Sequence, residues 1–220
     1  MKRFTVFAII AAFVAVIAGC ATAENGKPRP ITDAEKGALA KKDDLSKDAL
    51  IGAVGGGIAG AAVDTYMDSQ KRDLEKVLAP EIQAIAIDIQ KVNQNNLLIT
   101  MTSQTAFDFD STTIKPGFYS TMDKIANVLI RYGKTHLTIV GHTDNVGAEQ
   151  YNQTLSDHRA QAVNDYLRNK GILVQRLVFL GRGATAPRAS NATEEGRRLN
   201  RRVEIIVEPI VAEPQNQAPG

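Results

Sequence analysis

The 220-residue sequence predicts an α/β (α+β) domain in which helices pack over one sheet in the order ββαβαβ(α)β. Three observations carry that expectation. Two short alternating segments flank the turn cluster Asn93-Gln94-Asn95-Asn96 and look like a hairpin. Downstream, β-branched runs alternate with two segments whose apolar residues recur at a helical period. The stretch from Pro80 to about Pro209 is also long enough to bury a real core.

At the amino end, Met1-Lys2-Arg3 precedes an almost unbroken apolar run from Phe4 to Ala18. This is the layout of a secretory signal, too short and wrongly flanked for a stable spanning helix. The run ends in Ile17-Ala18-Gly19-Cys20, which resembles the bacterial lipobox. The resemblance implies a signal peptide over 1–19 and a lipidated Cys20 as the first mature residue, with acyl chains enough for stable anchoring. Ala21 in place of an Asp implies the outer membrane, facing the periplasm, by the sorting rule of such lipoproteins. The alternative is an ordinary signal cleaved after Ala21 or Ala23. Because Cys20 is the single cysteine, an intrachain disulfide framework and a multi-Cys zinc site are excluded.

Residues 20–48 are polar and of mixed charge, with Lys27-Pro28-Arg29-Pro30 and Lys41-Lys42-Asp43-Asp44, and read as a tether. As a flexible coil it would span ~30 Å. Residues 49–63 form a glycine-zipper segment in which Gly52, Gly56 and Gly60 recur every four residues. On a helix they would make a smooth face for close packing, in lipid or against another copy. The run is about 22 Å long as a helix, short of the ~30 Å hydrocarbon core, so full spanning is not expected. Residues 64–79 read as a charged spacer helix, and the domain is placed at 82–208.

Within the domain, Ile85 to Val92 and Leu97 to Met101 form the hairpin, and Thr105 to Ser111 ends in a loop. Lys115-Pro116 announces a helix with Met122, Ile125, Ala126, Leu129 and Ile130 on one face, stopped at Tyr132-Gly133. Leu137 to Val140 is a strand, and Thr143 to Gly147 is turn chemistry. The following helix carries Leu155, Ala162, Val163, Tyr166 and Leu167 on a stripe and stops at Lys170-Gly171. Leu177 to Leu180 is a short strand, Gly181-Arg182-Gly183 a turn, and Thr193 to Arg197 the start of a short helix that leads into a strand from Arg202 to Val207. Residues 209–220, with Pro209, Pro214 and Pro219, read as a disordered tail.

One residue breaks the pattern. Arg159 lies on the apolar stripe, four residues after Leu155 and four before Val163, and Asn152 sits seven residues earlier on the same side. A core-facing cation must be paired or must bind something. Asp144, at the carboxyl end of the preceding strand where ligands gather in α/β sheets, is the expected partner. The pair is either a working site or a structural ion pair, with Asp144 also able to cap its turn.

The motifs Gly141-His142-Thr143-Asp144, Tyr151-Asn152, Leu155-Ser156, Arg159-Ala160, Gly181-Arg182-Gly183, Glu195-Gly196-Arg197 and Asn200-Arg201-Arg202-Val203-Glu204 occur in order. Together they resemble the OmpA-like carboxyl domain, a two-layer fold on one mixed sheet. The upstream part, with Cys20, the glycine run and Tyr66-Met67-Asp68, looks like the YiaD branch of OmpA-family lipoproteins, although that branch often has two glycine stretches and this chain has one. The resemblance implies non-covalent binding of peptidoglycan through the diaminopimelate of its stem peptide, tethering the outer membrane to the cell wall. It assigns the ligand's ammonium to Asp144 and its carboxylate to Arg159, whose fork a Lys could not imitate. Thr143 and Asn152 would add polar contacts, and Phe109 and Asp110 would line the site. The alternative is a membrane-interacting or self-associating glycine-zipper lipoprotein, homo-oligomeric through Gly52, Gly56 and Gly60, whose domain is structural.

Other classes fit poorly. The sequence contains no H-E-x-x-H, G-x-S-x-G or G-x-x-x-x-G-K-[ST], so neither an enzyme nor a cofactor or metal site is expected. Removing Lys2 and Arg3 from 26 basic residues leaves 24 against 24 acidic, so nucleic acid held by bulk charge is not expected either.

Overall fold

The computed structural model describes residues 56–93 and 95–212. The expected signal peptide, Cys20, the tether, Gly52 and the end of the tail lie outside them.

The strands are β1 (Ile87–Val92), β2 (Asn96–Thr102), β3 (Thr135–His142), β4 (Leu177–Gly181) and β5 (Arg202–Pro209). The helices are α1 (Val63–Val77), the short α2 (Ala79–Gln83) and α3 (Ser103–Ala106), then α4 (Tyr119–Arg131), α5 (Glu149–Asn169) and α6 (Glu194–Asn200). They build one five-stranded mixed sheet of order β1-β2-β5-β3-β4. β1 and β2 form the expected hairpin, with Asn93 at φ 54° in its turn. β5, last in the chain, inserts antiparallel between β2 and β3. β3 and β4 run parallel because α5 carries the chain back between them.

The core lies on one face of this sheet. Leu97, Ile99, Met101, Leu137, Ile139, Val203, Ile205 and Val207 meet Met122, Ile125 and Leu129 of α4 and Val163 and Leu167 of α5. Burial of such side chains from water is the main stabilising term. Three expectations about faces need correction. Ile85 adopts φ 56° in a turn, so the first strand begins at Ile87. Ile130 is 42% exposed, because it lies about 100° around the helix from Leu129. Leu155 is only partly buried and lines a cleft.

The segments flanking the domain also differ from expectation. The helix expected as a spacer is docked: Val63, Met67, Leu74 and Leu78 join the main core, and Tyr66 packs edge-on against Tyr132 with ring centroids 5.2 Å apart. One position of its buried stripe is Gln70, which is wholly buried, so the sequence shows no continuous apolar face there. From Gly56 to Ala59 the glycine segment is not helical. Gly56 sits at φ 93°, and Ile58 makes a parallel bridge to Val211. A Cβ on Gly57 would stand 2.3 Å from the backbone nitrogen of Ala212, so that glycine admits the passing carboxyl segment. Residues 209–212 are therefore part of the folded unit: Ile210 is buried, and its N–H donates to the Lys134 carbonyl at 3.0 Å.

Candidate functional site

The carboxyl ends of β3 and β4 and the start of β5 converge at one pole of the sheet. Close packing of α5 fixes the spacing there. Ser156 lies over two glycines: a Cβ on Gly141 would be 2.0 Å from its carbonyl oxygen, and one on Gly181 would be 2.3 Å from its Oγ. Ser156 Oγ accepts from the Gly183 N–H at 2.8 Å, and Asp157 Oδ1 accepts from the Gly181 N–H at 2.6 Å. These contacts seat the first half of α5 on the strand ends.

The turn after β3 is organised by its own side chains. The Thr143 N–H donates to the Gly183 carbonyl at 2.9 Å, and Thr143 Oγ1 donates to the Asp144 carbonyl at 2.9 Å. Asp144 Oδ1 accepts from the Val146 N–H at 3.0 Å, an Asx-type turn. Asn152 Nδ2 donates to the Val146 carbonyl at 2.9 Å. Gly147, at φ 94°, takes the left-handed conformation that lets the chain enter α5. Thr143 and Asn152, both buried, hold the loop that presents Asp144.

Across the cleft, the segment after α3 makes the second wall. Phe107 is buried and bridges Ile114, while the turn at 108–111 closes with Ser111 N–H donating to the Asp108 carbonyl at 3.1 Å. Asp110 takes φ 56°, a conformation Asp tolerates better than most residues. Phe109 is thereby thrown fully into solvent, and the Ser111 carbonyl points inward.

Arg159 occupies the floor. It is 5% exposed, its Nε donates to the Ser111 carbonyl at 2.9 Å, and its guanidinium carbon lies 5.3 Å from the centre of the Phe107 ring. Burial pulls its pKa below the ordinary value; Asp110 and Asp144 oppose that, and Arg201 adds to it. Its two Nη nitrogens have no hydrogen-bond partner among the described residues. The direct ion pair with Asp144 expected from the sequence does not form. Instead Asp144 Oδ2 accepts from Arg201 Nη1 at 2.6 Å, and Arg201 Nη2 bonds Glu194 Oε1 at 2.6 Å. Arg201 follows α6 and is 57 positions from Asp144, so no local signal marks it as a partner.

The result is an open cleft of about 570 Å³. Its lining takes in all six residues singled out from the sequence, Phe109, Asp110, Thr143, Asp144, Asn152 and Arg159. It also takes in Arg201, Glu194, Val146 and Tyr151. His142, by contrast, is buried away from the cleft, where its Nε2 lies 3.2 Å from Glu204 Oε2. Burial, with Arg202 beside it, lowers the His142 pKa against the pull of Glu204. A floor with two free guanidinium nitrogens and a wall with a carboxylate can grip a group that carries both charges.

Comparison with known proteins places this architecture. The OmpA family model matches residues 106–201. The chain is 33% identical, over 222 aligned positions, to the Probable lipoprotein YiaD of Escherichia coli (strain K12), covering 95% of this chain and 99% of that one. The chain belongs to the OmpA family. A relative matched only over the domain is the Peptidoglycan-binding protein ArfA of Mycobacterium bovis, 42% identical over 102 residues, 46% of this chain and 31% of that protein. Among solved structures, the cell wall anchor of the T6SS from Pseudomonas aeruginosa superposes with a TM-score of 0.57 at 32% identity, over 63% of this chain and 99% of that chain. The OmpA-family span begins at Ala106, beside the Phe107 wall, and ends at Arg201, so it encloses every residue of the Arg159–Asp144–Arg201 arrangement.

Proposed function

We propose that this OmpA-family chain is an outer-membrane lipoprotein, anchored through Cys20 and facing the periplasm, that binds peptidoglycan non-covalently and tethers the membrane to the cell wall. The ligand group is the free end of diaminopimelate, an ammonium and a carboxylate on one carbon. One observation carries this reading: Arg159 is buried, braced by Ser111 and Phe107, and still keeps both Nη nitrogens open to the cleft. A guanidinium used only for structure spends its donors on the protein, as Arg176 does on the Leu129, Tyr132 and Thr135 carbonyls. Arg159 accordingly forks the carboxylate, and Asp144, which has lone pairs beyond those used by Val146 and Arg201, takes the ammonium. Thr143 and Asn152 hold the Asp144 loop, and Phe109 and Asp110 border the opening. The ligand is held and not changed. The names of the ArfA relative and of the cell wall anchor support the same reading.

The test is retention of the purified full chain by diaminopimelate-type sacculi. Arg159→Ala removes a charge-assisted bidentate contact worth roughly 3 kcal/mol, so retention should fall by about two orders of magnitude with the fold intact. Asp144→Ala should act in the same direction. Undiminished retention by both variants would overturn the reading. Cys20→Ser tests the anchor separately: the protein should move from the membrane to the soluble periplasmic fraction.

A further inference from the structure

We propose that Glu194 sets the preference of this cleft for a ligand amino group, an inference that rests on the diaminopimelate reading above. Asp144 shares Arg201 with Glu194: the two Arg201 terminal nitrogens lie 2.6 Å from Asp144 Oδ2 and 2.6 Å from Glu194 Oε1. The other Glu194 oxygen takes Arg197, at 2.8 Å from Nη2 and 3.0 Å from Nε. The group is thus a four-membered chain, Asp144–Arg201–Glu194–Arg197, with two charges of each sign, and all four residues line the cleft.

Neutralising Glu194 leaves two guanidinium groups facing one carboxylate. Arg201 then belongs to Asp144 alone and cancels its charge. The wall that should attract an ammonium becomes net positive, while the Arg159 floor that should attract a carboxylate is untouched. Glu194 touches neither Asp144 nor Arg159 directly; it acts through Arg201 as a specificity-determining residue. The hydrogen bonds from Arg201 and Arg197 hold the Glu194 carboxyl below the ordinary carboxylate range, so it is charged at neutral pH.

Glu195 supplies a matched control. It carries the same charge one residue later and is as exposed, 67% against 66% for Glu194. Its partner is Arg198, at 2.6 Å, which does not line the cleft.

The experiment uses the full chain bound to sacculi and competes it off with meso-diaminopimelate or with pimelate, the dicarboxylate of the same length without amines. Because Glu194 is solvent-screened, Glu194→Gln should lower the potency of meso-diaminopimelate relative to pimelate by about fivefold, and that ratio should converge on wild type at high salt. Glu195→Gln should leave the ratio of the two competitors as in wild type. An unchanged ratio in Glu194→Gln, with Asp144→Ala and Arg159→Ala both losing sacculi, overturns this inference and leaves the parent reading standing. An equal drop in Glu195→Gln also overturns it, because net charge alone then explains the effect. Retention of sacculi by Asp144→Ala and Arg159→Ala is the separate outcome that overturns the parent reading.

Discussion

Asp144 and Arg201, from the end of β3 and the end of α6, meet with Oδ2 and Nη1 2.6 Å apart and only 10% and 22% of their side chains exposed. This contact closes the cleft between two segments that the chain visits far apart. The site is therefore only as well placed as the packing beneath those segments, which can be perturbed without touching a residue of the cleft.

Gly141 is one such point. A methyl group there would stand 2.0 Å from the Ser156 carbonyl oxygen, backbone that cannot swing aside. Gly141→Ala should lift α5 from β3 and destabilise the domain by roughly 3 kcal/mol or more, measured as a lowered urea midpoint.

Arg176 supports the other pole. It is 2% exposed, and it donates to the carbonyls of Thr135, Leu129 and Tyr132 at 2.7, 3.0 and 3.2 Å. Burial lowers its pKa to about 10, so the charge persists at neutral pH. Arg176→Leu strands those acceptors and should cost about 3 kcal/mol in chemical denaturation. Sacculus retention by the fraction that remains folded should be unchanged.

Gln70 predicts the opposite sign. It is completely buried in the α1 interface, and neither of its amide atoms has a hydrogen-bond partner among the described residues. Gln70→Leu removes the unmet desolvation and should raise stability by about 1–3 kcal/mol. Slower hydrogen exchange confined to α1 and its neighbours would locate the gain; faster exchange there would count against it.

Acid should weaken the fold in two steps. In the folded state His142 sits below its ordinary 6.5, chiefly through burial, beside Glu204, Arg202 and Arg182. The unfolded chain thus takes up the proton first, and stability present above pH 6.5 is lost as pH falls from there. Glu204 is pushed up by burial, but Arg202, with Nε 2.6 Å away, and His142 outweigh that and leave it well below its ordinary 4.5. Its contribution is present above pH 4.5 and is lost as pH drops further. Urea midpoints at pH 7.5, 5.5 and 4 should decline throughout; His142→Gln should flatten the upper interval and, because His142 also helps hold Glu204 low, reduce the fall in the lower one.

Much of the domain was legible because its signals are local and periodic. The hairpin around Asn93, the α4 stripe from Met122 to Leu129, and the inward Arg159 all follow from spacing along the chain. Gly171, at φ 101°, ends α5 where the stop was expected. The misses have a common origin in contacts that span long separations. Asp144 finds Arg201 and not Arg159, because α6 delivers a nearer guanidinium while Ser111 and Phe107 anchor Arg159. The docking of α1 was hidden by Gln70 in its buried stripe, and the bridge between Ile58 and Val211 joins the two ends of the folded unit with no pattern in either.

That bridge bears on how the molecule carries load. Ile58 and Val211 lie beyond the Thr135–Pro209 end of the sheet, while Asp144 lies just past the His142 end. The eight residues of β3 separate these poles by about 25 Å. Tension applied upstream of Ile58 and resisted at Asp144 runs along the strands. A load held between these poles passes along the β3–β5 ladder, whose eight paired positions lie side by side between them and share it.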